Sequence, residues 1–123
     1  MLIALLTIIL LGGGGSNVLI ADIQFVEEQL KVVMDKTDER KAALATLNEM
    51  TKRTKQRQKI LGKILKQQKK LVADHNSSPA GTDKLWLELT AERTEFHADM
   101  IKLRFEFKDQ LSREDWAEIF KPG

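Results

Sequence analysis

The sequence predicts an all-α protein, and three observations carry that reading. Charged residues make up 31% of the chain and alternate with Leu, Ala and Gln, a composition that favours long helices over sheet. Both prolines come late, at Pro79 and Pro122, so none interrupts a helix before the last third of the chain. Beyond residue 22 the apolar residues recur at spacings of three and four, the period of one helix face. A chain of 123 residues makes one domain at most, with a modest core. It has no cysteine, which excludes a disulfide framework, a thiolate nucleophile and a thiolate metal site.

The first element is the uncharged run from Leu2 to Ala21, which reaches the roughly 20 residues that a bilayer-spanning helix needs. Four consecutive glycines, Gly12 to Gly15, weaken a helix in water, but in lipid an unsatisfied backbone costs more and glycine permits close helix contact. The expectation is a membrane helix over residues 2–21. A cleaved signal peptide and a buried segment are the alternatives. Leu2 to Leu11 has the length of a signal core, but no basic residue precedes it and the small-residue patterns at Gly14-Gly15-Ser16 and Leu19-Ile20-Ala21 are poor cleavage sites. The expected setting is a single-pass protein of a bacterial-type inner membrane with a periplasmic body, although the positive-inside rule taken literally favours a cytoplasmic one.

From Ile23 the spacing reads as one helix of about 50 residues, on the order of 80 Å long, reaching to about residue 74. Its stripe begins with Ile23, Val26, Leu30 and Val33 and recovers at Leu44, Leu47, Leu61, Leu65 and Val72. The turn follows in His75-Asn76-Ser77-Ser78-Pro79-Ala80-Gly81-Thr82, with Thr82 as the expected cap of a second helix from Asp83. Leu85, Leu89, Phe96, Met100, Leu103, Phe107 and Leu111 form one face of that helix, which should fold back antiparallel as an αα-hairpin. Counted back from the turn, it runs out near residue 46. A short third helix then starts at Ser112, with Asp115 completing a capping box and Leu111 and Trp116 placed as a hydrophobic staple. Trp116 is expected to pack near Leu44 and Leu47.

The organisation expected is therefore an anchor or signal peptide over 1–21, a helical stalk over 22–46, and a hairpin with a short C-terminal helix over 47–123. On this reading Ile23, Val26, Leu30 and Val33 have no partner within the chain and form an open seam. Monomers rarely leave such a seam uncovered. It is the expected partner-binding surface, covered by a second copy of the stalk or by another protein.

The segment LSREDWAEIF, a leucine-ended helix running into Leu-Ser-x-x-Asp, resembles the LTxxQ element of the periplasmic Spy and CpxP family. Asp115 stands where that family has Gln, and the likeness covers about ten residues. It implies a periplasmic, non-enzymatic helical protein that senses or shields other proteins under envelope stress.

Catalytic patterns are scarce. His75 and His97 stand too far apart for a helical metal pair, and the carboxylates around His97 fit a solvated face, so neither metal nor cofactor is expected. Without a Gly-rich phosphate loop or a nucleophile and base pair, no enzymatic role is expected either. One charge feature stands out: nine basic residues and no acidic one lie between 52 and 70, led by Lys52, Arg53, Lys55, Arg57, Lys59 and Lys63. The acidic second helix is expected to neutralise this run as the hairpin closes. No aromatic residue interleaves it to stack bases, so nucleic acid is not the expected partner. The function expected is a membrane-anchored, extracytoplasmic interaction module, an adaptor or chaperone-like stress sensor. The alternative is a structural subunit that self-associates through anchor and stalk.

Overall fold

A computed structural model describes residues 16–121. They form four helices in chain order: α1 (Ser16–Val33), α2 (Asp38–Ala73), α3 (Pro79–Asp109) and α4 (Arg113–Ile119). The all-helical class holds. The single long helix does not: residues 34–37 break it into α1 and α2.

The break is built from local polar chemistry. Thr37 is extended (φ −125°, ψ 170°), and its Oγ1 accepts from the Arg40 backbone N–H at 3.3 Å, so it caps the start of α2. Asp38 and Glu39 then occupy the first turn, where their negative charge suits the positive end of the helix dipole. From the other side, the Arg40 guanidinium donates to the Met34 carbonyl at 3.2 Å and the Lys31 carbonyl at 3.5 Å. It thereby satisfies acceptors that the end of α1 leaves open. One helix stops and the next starts within four residues, and the chain reverses.

The reversal lays α1 antiparallel along α2. Asn17 Oδ1 accepts from Gln58 Nε2 at 3.0 Å, so the start of α1 reaches the middle of α2. Leu19, Ile23, Val26 and Leu30, spaced four, three and four, are all buried in the core. They join Ala43, Leu47 and Met50 of α2, Phe96, Met100 and Phe107 of α3, and Ile119 and Phe120 at the end of the chain. The seam expected to be open is thus closed by the chain itself.

This arrangement corrects the expected N-terminus. Residues 1–15, which hold most of the anticipated span and all but Ser16 of the first candidate cleavage pattern, lie outside the described residues. Residues 16–21 form the first turns of α1, whose next two turns carry Asp22, Glu27, Glu28 and Lys31. Among the described residues, no helix is long and apolar enough to cross a membrane. The membrane helix running on into a stalk, and the single-pass inner-membrane placement with a periplasmic body built on it, are overturned by that finding.

The α2–α3 hairpin is the longest contact in the fold. Its tip is stapled by polar groups: Asn76 N–H donates to Asp74 Oδ1 at 2.9 Å, and Ser77 Oγ donates to the Leu71 carbonyl at 3.0 Å. The second helix starts earlier than expected, with Ser78 at its cap position and Pro79 in its first turn, where a missing N–H costs nothing. Thr82 therefore lies inside α3 rather than capping it. Gly81 packs closely at the tip, where a Cβ would come within 3.2 Å of the Leu71 side chain and require it to shift. At the far end, Thr46 Oγ1 donates to Gln110 Oε1 at 2.8 Å, which fixes the register of the hairpin.

Ser112 then caps α4, its Oγ accepting from the Asp115 N–H at 3.0 Å. Trp116 is half-buried and meets aromatic rings first: Phe120 at 4.5 Å between centroids and Phe107 at 5.9 Å. It faces Leu47 as expected, but shares that space with Ile23 and Val26 of α1. The core consequently sits at one end of the molecule, where α1 and α4 close over the hairpin. Beyond Gln58, α2 and α3 continue as a two-helix arm.

Candidate interaction surface

Two helices packed on each other cannot enclose apolar residues on every side, and the arm shows this directly. Leu61, Ile64 and Leu65 of α2 face Leu85, Trp86 and Leu89 of α3 across a groove of ≈ 440 Å³. Trp86 is 68% exposed, Leu65 55%, and Val72, further along α2, 76%. Residues of this size and exposure, set side by side, mark a contact surface more often than a bare monomer face.

Sequence reasoning placed the contact elsewhere. Ile23, Val26 and Leu30 are buried in the core and Val33 packs against it, so the ground for reading them as a docking seam is gone. The signal for the arm was present in Leu85-Trp86-Leu87-Glu88-Leu89, where apolar side chains cover more of the helix circumference than one core-facing stripe can use.

The basic run divides in two. Arg53 turns inward, its Nε donating to Asp99 Oδ2 at 2.7 Å and its Nη1 to Glu92 Oε1 at 3.0 Å. Burial alone lowers the Arg53 pKa, but the hydrogen bonds from Asp99 and Glu92 outweigh it and raise the value above the ordinary arginine level. Arg57 lies over the Phe96 ring, 4.4 Å from its centroid. Its pKa is lowered, first by burial and then by the like charges of Arg53 and Arg93, against the pull of Glu92. Lys52 reaches only Glu49 on its own helix, at 3.6 Å between exposed groups, which contributes little. Lys55, Lys59 and Lys63 are exposed and pair with no acid among the described residues. Neutralisation by α3 therefore reaches the arginine at the core and leaves the lysines of the arm in solvent.

The remaining polar features are dispersed among the described residues. His75 is exposed in the turn, and His97 stands beside Phe96 at 6.3 Å. Among the described residues no group of three or more His, Asp or Glu is placed to hold a metal. A second hollow, of ≈ 590 Å³, is lined by Glu49, Lys52, Arg53, Asp99 and Lys102, and its mixed signs favour no ligand charge.

One buried group has a measurable consequence. Asp22 Oδ2 is shielded from solvent without a hydrogen-bond partner among the described residues, and burial pushes its carboxyl above the ordinary aspartate value. A raised folded-state pKa means that the fold prefers the protonated form. The stability this group contributes is full below its unfolded pKa of about 3.9 and is lost as pH rises through the higher folded value. Near neutrality the carboxylate opposes folding. Asp22→Asn is therefore expected to melt above the parent at pH 7, with the difference vanishing near pH 3 in parallel thermal melts.

The chain matches no protein-family model, no curated protein and no solved structure.

Proposed function

We propose that this chain is a non-catalytic protein-interaction module, an adaptor or chaperone-like protein, that presents the open arm of its hairpin to a protein partner. The observation that carries the reading is the apolar groove of Leu61, Ile64, Leu65, Leu85, Trp86 and Leu89, in which Leu65 and Trp86 stand exposed. The closed end supplies a rigid base, and the arm extends the two helices beyond it. The likeness of the Ser112–Trp116 element to the LTxxQ motif supports the same class of function, since it implies a helical protein that contacts other proteins.

Self-association, the other reading of the sequence, loses its basis in the stalk now that Leu30 and its neighbours are internal. Pairing two arms would also bring together two copies of a run with nine basic residues and no acid between 52 and 70.

The test uses the full chain with a photoreactive side chain at position 86 or, for comparison, at the exposed position Arg113 on α4. Irradiation in native extract is expected to give a discrete protein adduct from position 86, absent when Leu65→Ser is added. Equal adducts from both positions, or none from position 86, would contradict the reading.

A further inference from the structure

At the closed end of the molecule, the third helix over the hairpin is α1. It lays an apolar stripe spaced four, three and four along α2, and its first described turn meets Gln58 through Asn17. Past that point the groove continues the same track, with Leu61, Ile64 and Leu65 on one wall and Leu85, Trp86 and Leu89 on the other. The lined part runs from Leu61 to Gln68, and the exposed Val72, one turn further on the same face of α2, extends the track to on the order of 16 Å, about three helical turns. Among the described residues, no third helix lies along that part of the track.

The charge at the near end of the groove narrows the choice. Arg57 lies one turn before Leu61 on α2, and Arg93 one turn after Leu89 on α3, so both fall on the groove side of their helices. Antiparallel pairing brings them to the same end, close enough for the charge of Arg93 to act on Arg57. Arg57 makes no salt bridge among the described residues, and neither does Arg93, which is exposed. Glu92, the nearest acid, is held by Arg53 at 3.0 Å. The groove is thus apolar along its floor and cationic at one end.

Building on the proposed binding role of the arm, the geometry points to a specific occupant: an amphipathic helix of about three turns, apolar at three- and four-residue spacing, with carboxylates at the end that meets Arg57 and Arg93. Its apolar face completes a three-helix unit on the arm, as α1 does at the closed end. Its carboxylates offset the positive charge that Arg57 and Arg93 bring to that end of the groove. A second copy of the arm is disfavoured as occupant, because it brings the same basic run.

The experiment titrates the full chain with three probes and follows Trp86 fluorescence in a Trp116→Phe background. The first probe is an 18-residue amphipathic peptide with leucines at three- and four-residue spacing and three glutamates at one end. The second is the same peptide with lysines in place of the glutamates. The third is vesicles of anionic phosphatidylglycerol. The glutamate peptide is expected to bind at least tenfold more tightly than the lysine peptide, with an affinity that falls as salt rises. Arg93→Gln should reduce that preference to within about threefold while leaving the melting temperature unchanged. Arg57→Gln should do the same but also loosen the packing on Phe96, so Arg93→Gln is the cleaner variant.

Equal binding of both peptides, abolished by Leu65→Ser, would overturn the acidic occupant and leave the arm as a general apolar contact. Stronger binding to the vesicles than to either peptide would overturn it in favour of a lipid surface. A concentration-dependent dimer that excludes both peptides would overturn it in favour of a second copy.

Discussion

Leu30→Ala is expected to lower the unfolding free energy by about 3–5 kcal/mol, read from the midpoint and slope of a urea titration. Leu30 is fully buried, in a core that draws on α1, α2, α3 and α4, so truncation leaves a cavity that several elements would have to move to fill. For a domain of this size the loss is a large part of the total stability. Its neighbour Val32 supplies the internal control. Val32 is 81% exposed, and Val32→Ala should change stability by less than about 0.5 kcal/mol. An open seam would have given the opposite pattern, with Leu30 truncation nearly silent in the isolated chain. Comparable small effects at both positions would mean that α1 does not dock on the hairpin.

Arg53→Met is expected to cost about 3 kcal/mol, because it strands a buried carboxylate. The Glu92 side chain is only 7% exposed, and Arg53 Nη1 is its ion-pair partner at 3.0 Å, whereas the Asp99 side chain is 44% exposed and can fall back on water. The asymmetry sets the outcome of the companion substitutions. Asp99→Asn should cost less than about 1 kcal/mol. Glu92→Met added to Arg53→Met should recover most of the loss, since replacing both members of a buried pair by apolar groups is often close to neutral. Urea titrations of the parent, Arg53→Met, Glu92→Met and the double variant close the cycle. If the double substitution is as unstable as the single one, the pair holds the helices in place by its own attraction.

Several features of this fold are legible in the sequence because they follow from local chemistry. The helical class follows from composition and spacing. The turn at residues 74–78 follows from its cluster of Asp, Asn, Ser and Pro, and the cap at Ser112 from a side chain that satisfies a nearby N–H. The break at residues 34–37 rests on equally local groups. Thr37 followed by Asp38 and Glu39 is a helix start, but it contains neither glycine nor proline, and the heptad spacing on either side makes the chain look continuous. Arg40 decides the matter, by reaching back to the Lys31 carbonyl in α1 and the Met34 carbonyl just past its end, and that contact exists only once the chain has turned.

Which apolar residues stand exposed follows from that single break. With an unbroken helix, the apolar residues of α1 have nowhere to go and the arm has no reason to be singled out. Once α1 folds back, Ile23, Val26 and Leu30 are accounted for, and the large apolar residues that stand exposed on the arm are Leu65, Val72, Trp86 and Leu87. The periodicity of each helix was correct in outline, but periodicity does not say which neighbour covers a face. The sorting of the basic run followed the same logic. Arg53 and Arg57 sit where α2 crosses the acids and Phe96 of α3, and the lysines sit on turns that face water.

Amide hydrogen exchange across the full chain, resolved by residue, tests most directly the claim that the molecule is closed at one end and open at the other. The strongest protection is expected along one continuous block made of residues 19–30, 43–54 and 96–107, with faster exchange through 61–72 and 82–89, where only two helices shield each other. Protection in 19–30 no greater than in the arm, or an arm as protected as the core, would contradict it.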